Sequence, residues 1–145
     1  MSLPSELAIG TAGEHIVCAD LLMNGHRAFL ANQACPYDVA VEVEGRMVRI
    51  QVKATRQQRS IPQRETHIAS YLFHVRRCGK GGKRLYQVND FDMLALVALD
   101  INRIAYMPPS QFKTTIHMRP PGTPTGKQFD DYKFDRAMNE VIHGS

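Results

Sequence analysis

Apolar and polar residues alternate along two neighbouring stretches: Ala40 and Glu42 separate Val39, Val41 and Val43, while Arg49 and Gln51 separate Val48, Ile50 and Val52. A period of two is the mark of a strand with one buried face. Gly45 supplies the turn between them, so the pair predicts a β-hairpin. Upstream, Pro4 precedes a helix predicted from Ser5 to Asn24, and Gly25 is placed to end it in the left-handed conformation. Ala28 to Ala31 predicts a first strand. Downstream, Thr55 to Thr66 is polar and contains Pro62, which predicts a loop. Ile68 to Arg77 then predicts a strand, Gly79-Lys80-Gly81-Gly82 a turn, and Arg84 to Val88 its partner. Leu94 to Leu99 and Arg103 to Met107 predict another hairpin, turning at Asp100-Ile101-Asn102. Pro120-Pro121-Gly122-Thr123-Pro124 breaks the chain before a last helix. That helix carries Phe134, Ala137, Met138, Val141 and Ile142 as an apolar stripe that must dock somewhere. The whole predicts one α/β domain over residues 1–145, a mixed β-sheet flanked by helices.

Composition narrows the class. A chain of 145 residues suits one domain with one core. No apolar run approaches the roughly 20 residues of a membrane helix, and no basic-then-hydrophobic leader opens the sequence, so a cytoplasmic protein is expected. Cys18, Cys35 and Cys78 are odd in number and far apart, which speaks against a disulfide framework or a zinc site. The net charge of +4 hides an asymmetry: Lys53 to Arg84 holds nine basic residues and one acid, Glu65, whereas the rest holds nine basic and thirteen acidic residues. Such a block is what a polyanion-binding surface looks like in sequence.

The chemistry lies next to that block. Pro36-Tyr37-Asp38 is followed, after twelve residues, by Gln51-Val52-Lys53. On a strand, Gln51 and Lys53 share a face with Arg49, while Ile50 and Val52 point the other way. This spacing resembles the PD-(D/E)XK nuclease superfamily, with Asp38 as the motif aspartate, Gln51 in place of the second acid and Lys53 as the lysine. The run Arg49-Ile50-Gln51-Val52-Lys53 resembles in particular the intron-encoded homing endonuclease branch, which uses glutamine there. The resemblance extends to Gly10-Thr11-Ala12-Gly13-Glu14 upstream, and to Asp90-Phe91-Asp92 and Ile104-Ala105-Tyr106-Met107-Pro108 downstream, about three quarters of the chain. It implies a restriction-endonuclease-like fold, with Glu14, Asp38, Gln51 and Lys53 as the active centre. The resemblance further implies Mg²⁺ held by Asp38, Gln51, the Val52 carbonyl and Glu14, and hydrolysis that leaves a 5′-phosphate.

Glu14 stands in a helical row with Gly10, Val17, Cys18 and Leu21, otherwise small or apolar, and a carboxylate in such a row needs a partner. Gly10 and Gly13 are expected to let this helix approach the sheet. Arg56, Arg59 and Arg64 lie among glutamines in the polar loop and are the candidates for base contacts. Lys80, Lys83 and Arg84 surround the glycine turn and suit backbone phosphates. Gly79 to Lys83 lacks the spacing of a phosphate-binding P-loop. The scattered histidines have no zinc spacing, and Asp90 and Asp92 read as turn and helix-capping residues before Met93. The expected function is a Mg²⁺-dependent endonuclease on double-stranded DNA. Cutting both strands requires two such centres, hence a homodimer or homotetramer, with the C-terminal stripe as one possible contact. The alternatives are a nuclease-fold protein that binds nucleic acid without cutting, and a repair or junction-resolving nuclease.

Overall fold

The computed structural model describes residues 2–59, 69–75, 77–79, 82–84 and 90–144, with backbone only for 77–79 and 82–84. Helix α1 (Glu6–Met23) begins where the Ser5 hydroxyl accepts the Ala8 amide at 3.1 Å, and it ends at Asn24, with Gly25 at φ 89°. The main sheet has five strands in the order β1 (Arg27–Leu30), β2 (Val39–Val43), β3 (Arg46–Thr55), β7 (Met93–Ala98) and β8 (Arg103–Met107). All neighbours are antiparallel except β3 and β7, which run parallel with Gln51 opposite Leu94 and Lys53 opposite Leu96. Two hairpins therefore form as the alternation predicts. The β2–β3 turn places both Glu44 and Gly45 at positive φ, the backbone that a tight two-residue hairpin requires.

Two cores lie on opposite faces of this sheet. On one, α1 lays Ile9, Gly13, Val17 and Leu21 towards Val39, Val41, Val48, Ile50 and Val52. Each fully buried Val, Leu or Ile there contributes about 1.5–3 kcal/mol over an exposed one. Helix α2 (Phe134–His143) closes the same side, burying Phe134, Ala137 and Met138, with Phe134 stacked 5.2 Å from the Tyr106 ring and 4.8 Å from His26. The first half of the C-terminal stripe is thus spent inside the chain against β8, while Val141 and Ile142 stay half-buried.

The other face carries Leu94, Leu96, Ala98, Ala105 and Met107. It is covered by a two-stranded ribbon of β4 (Tyr71–His74) and β9 (Thr115–Met118), through Tyr71, Phe73, Ile116 and Met118. This corrects the expected partner of Tyr71–His74, which was the Arg84–Val88 strand, whereas next to the glycine turn Arg77 and Arg84 do pair as expected. The strand is shorter and pairs with β9, which the sequence reading left in a connection, because Tyr71 and Phe73 bury their rings beside Ile116 and Met118. Val75 prolongs the pairing through its amide to the Thr114 carbonyl at 2.9 Å. The glycine turn instead closes a separate short hairpin of β5 (Arg77–Gly79) and β6 (Gly82–Arg84). The remainder of the expected Arg84–Val88 strand lies outside the described residues. No helix among the described residues is long and apolar enough to cross a membrane.

Candidate active site

The site forms where the hairpin becomes unequal. Strand β2 begins only at Val39, paired with Ile50, while the antiparallel β3 runs on past that point to Thr55. The amide of Asp38 still donates to the Ile50 carbonyl at 2.9 Å, and there the chain turns away. The next outward amide on β3 belongs to Val52, and it donates to Asp38 Oδ2 at 2.8 Å. A carboxylate thus takes the place that a strand carbonyl would fill. The same oxygen accepts Gln51 Nε2 at 2.8 Å, and this amide nitrogen lies 3.5 Å from the Val52 carbonyl. Gln51 is buried, and its hydrogen bonds to Asp38 and Val52 satisfy its amide nitrogen.

Burial raises the Asp38 pKa, opposed by the Val52 amide and by the positive charge of Lys53. Burial also raises that of Glu14, and the Asp38 charge raises it further. The sequence-predicted residues Glu14, Asp38, Gln51 and Lys53 are therefore brought into one electrostatic neighbourhood from α1, the start of β2 and β3. Gly13 makes that approach possible: a Cβ there would lie 2.7 Å from Ala54 Cβ and 3.4 Å from Val52 Cγ1. Gly10, expected to do the same, has nothing within 4 Å and lies at the margin.

The two partly buried carboxylates and the Val52 carbonyl are oxygen donors of the kind a hard divalent cation takes, whereas the Gln51 amide turns its nitrogen toward them and would present its oxygen only with the amide turned over. Among the described residues no cluster of three or more His, Cys, Asp or Glu is present. Any cation here would thus rely on the Gln51 amide and the Val52 carbonyl in addition to Asp38 and Glu14.

Sequence reasoning missed one pair at this site. Asp92 accepts the Arg49 amide at 2.9 Å and its guanidinium at 3.2 and 3.1 Å, and its own amide donates to the Arg49 carbonyl at 2.8 Å. Burial would raise the Asp92 pKa, but the Arg49 bonds and charge outweigh it and hold the carboxyl below its ordinary value. Asp92 is not a helix cap, since a strand and not a helix follows it. It locks the start of β7 to β3 two residues before Gln51. Arg49 alternating onto the same face as Gln51 was the available signal.

Of the expected DNA contacts, Arg56 is half-buried just beyond β3, and Arg59 is exposed and bridged to Ser70 at the edge of β4. Arg64 and Lys80 lie outside the described residues, as do the side chains of Lys83 and Arg84. A groove of about 810 Å³ between α1, β8 and α2, lined by Asp20, His26, Arg103 and Tyr106, contains none of the four candidate catalytic residues.

Two comparisons place the chain among known proteins. The sequence profile of the PD-(D/E)XK endonuclease family matches residues 5–135, and the chain belongs to that family of nucleases. Among solved structures, the chain is similar to a bacterial homing endonuclease, I-Ssp6803I. The two share 17% sequence identity at a TM-score of 0.71, over 97% of this chain and 96% of that one. That likeness shows the restriction-endonuclease-like fold. No curated protein matches the sequence.

Proposed function

We propose that the protein is a Mg²⁺-dependent endonuclease that hydrolyses phosphodiester bonds of double-stranded DNA. The observation that carries this reading is the junction of Asp38, Gln51 and the Val52 amide at the end of β2, with Glu14 held close enough to feel the Asp38 charge. Asp38, Glu14 and the Val52 carbonyl would hold the cation, joined by the Gln51 amide oxygen once that amide turns over from its bond to Asp38. When bound, it supplies Lewis-acid polarisation of the scissile phosphoryl group and a more acidic water. The chain's own residues do the rest. Gln51 and the Val52 amide fix the Asp38 carboxylate in one orientation. Lys53, on the same strand face as Gln51, orients the attacking water and donates to the phosphoryl oxygens as charge builds on them. The water's oxygen bonds to phosphorus as the bond to the 3′-oxygen breaks, leaving a 5′-phosphate and a 3′-hydroxyl. Glutamine in place of a second strand acid lowers the negative charge of the empty site, so cation affinity depends more heavily on the DNA phosphate.

The test is incubation of supercoiled plasmid with purified protein and Mg²⁺, alongside Asp38→Ala and Lys53→Ala. Wild type is expected to relax or linearise the plasmid, and both variants to bind DNA without cutting it. Equal cleavage by all three would overturn the reading, whereas binding without cleavage by wild type would favour a nuclease fold that has kept only recognition.

A further inference from the structure

The β4–β9 ribbon buries one face against the sheet and turns the other outward. Tyr71, Phe73, Ile116 and Met118 are buried, while His74, Thr115 and His117 are exposed and Leu72 is half-buried. Continuing the β9 alternation in both directions adds Lys113 and Arg119 to the outward line. The ribbon is also where two acid-poor parts of the chain pair. One is the basic block from Lys53 to Arg84. The other is Ile101 to Gln128, which contains Arg103, Lys113, Arg119 and Lys127 and no Asp or Glu. The sheet face beneath the ribbon is the one that bears Gln51 and Lys53, since these residues lie opposite Leu94 and Leu96. Strand β4 is also a neighbour of β3.

We propose that this ribbon is a DNA-reading element that enters the major groove beside the active site, with Thr115 and His117 at base edges and Lys113, Arg119 and Lys127 on flanking phosphates. The inference rests on the nuclease reading above. Two paired strands are the other backbone element, besides a helix, that the roughly 12 Å major groove admits. A pair of four-residue strands is about 13 Å long, which fits a few base pairs. Ser70 Oγ contacts His117 Nδ1 at 3.4 Å, which helps to orient an exposed ring. The basic flank is preassembled. The Arg119 amide donates to the Lys127 carbonyl at 2.8 Å, and the Arg119 side chain crosses Gly126, where a Cβ would come within 2.6 Å of it. Lys113 and Lys127 also lie close together, since burial, and then the Lys113 ammonium, lower the Lys127 pKa.

The experiment measures binding in EDTA, so that no cleavage enters. Duplexes selected by wild-type protein from a random library are titrated against random duplexes, for wild type, His117→Ala, Thr115→Val, Lys127→Gln and the selected duplex rebuilt with 7-deazapurines. Thermal melting confirms that each variant is folded. His117→Ala and Thr115→Val should each lower the ratio of selected to random affinity by about tenfold, and 7-deazapurines should lower it for wild type, because the N7 acceptors lie in the major groove. Lys127→Gln should keep the ratio, weaken both duplexes and reduce the log-log salt slope by about 0.9. An unchanged ratio in both ribbon variants, or indifference of wild type to 7-deazapurines, would overturn the proposal. Intact preference combined with no cleavage in Mg²⁺ would sink the nuclease reading alone.

Discussion

At the scale of single residues, the site trades stability for charge. Asp38 and Glu14 have pKa values raised by burial, so the folded protein binds their protons more tightly than the unfolded chain. Their contribution to stability is present at acid pH and is lost as pH rises through the elevated folded values. Asp38→Asn should therefore raise the melting temperature of metal-free protein at neutral pH while eliminating cleavage. A lower melting temperature than wild type would show that the two bonds Asp38 accepts outweigh its desolvation. Gln51→Glu adds an anionic oxygen at constant size, and calorimetry without DNA should show tighter Mg²⁺ binding than wild type, with some cleavage retained. Weaker binding would place Gln51 outside the cation's shell. Asp38, Gln51 and Lys53 were legible in the sequence because they lie on one hairpin, where local alternation dictates which side chains meet. The Arg49–Asp92 pair was not, because it spans two strands whose parallel pairing depends on everything between them.

At the scale of elements, the two glycines of α1 make opposite predictions. Glycine in a helix interior costs about 1 kcal/mol relative to alanine. Gly10→Ala should recover up to about that much, since its Cβ meets nothing. Gly13→Ala would press a methyl group into Ala54 and should destabilise by about 1–3 kcal/mol, the usual cost of overpacking. It should also slow cleavage by lifting Glu14 from Asp38. Urea denaturation of both variants checks the signs, and a stabilised Gly13→Ala would mean that the helix and β3 separate easily. The helix start near Ser5, the turn at Gly45 and the Asp100–Asn102 hairpin were all readable because each is decided within a few residues. Strand β9 was missed for the complementary reason. Thr115-Ile116-His117-Met118 alternates over only four positions, and its partner strand lies more than forty residues away.

At the scale of the molecule, one chain has one candidate centre, so a double-strand cut requires at least two chains. Sedimentation should give a mass of twice or four times 16.3 kDa. A monomer that only nicks plasmid would remove that expectation while leaving the hydrolytic chemistry untouched. Phe134 of the α2 stripe is already engaged by Tyr106 and His26, whereas Val141 and Ile142 stay half-buried and Phe29, Leu30 and Met47 are exposed. The sequence could announce an apolar stripe but not its partner, because docking depends on how distant elements are assembled.

Because the Asp38 carboxylate caps the backbone of β3 where β2 departs, the candidate catalytic acid is also a stitch in the sheet. Any event that draws charge away from Asp38 Oδ2 loosens the Val52 amide, and any event that secures the amide steadies the acid. Proton exchange at that single backbone nitrogen would therefore report on the loading of the site from within the fold, without a dye, a label or a cut strand of DNA.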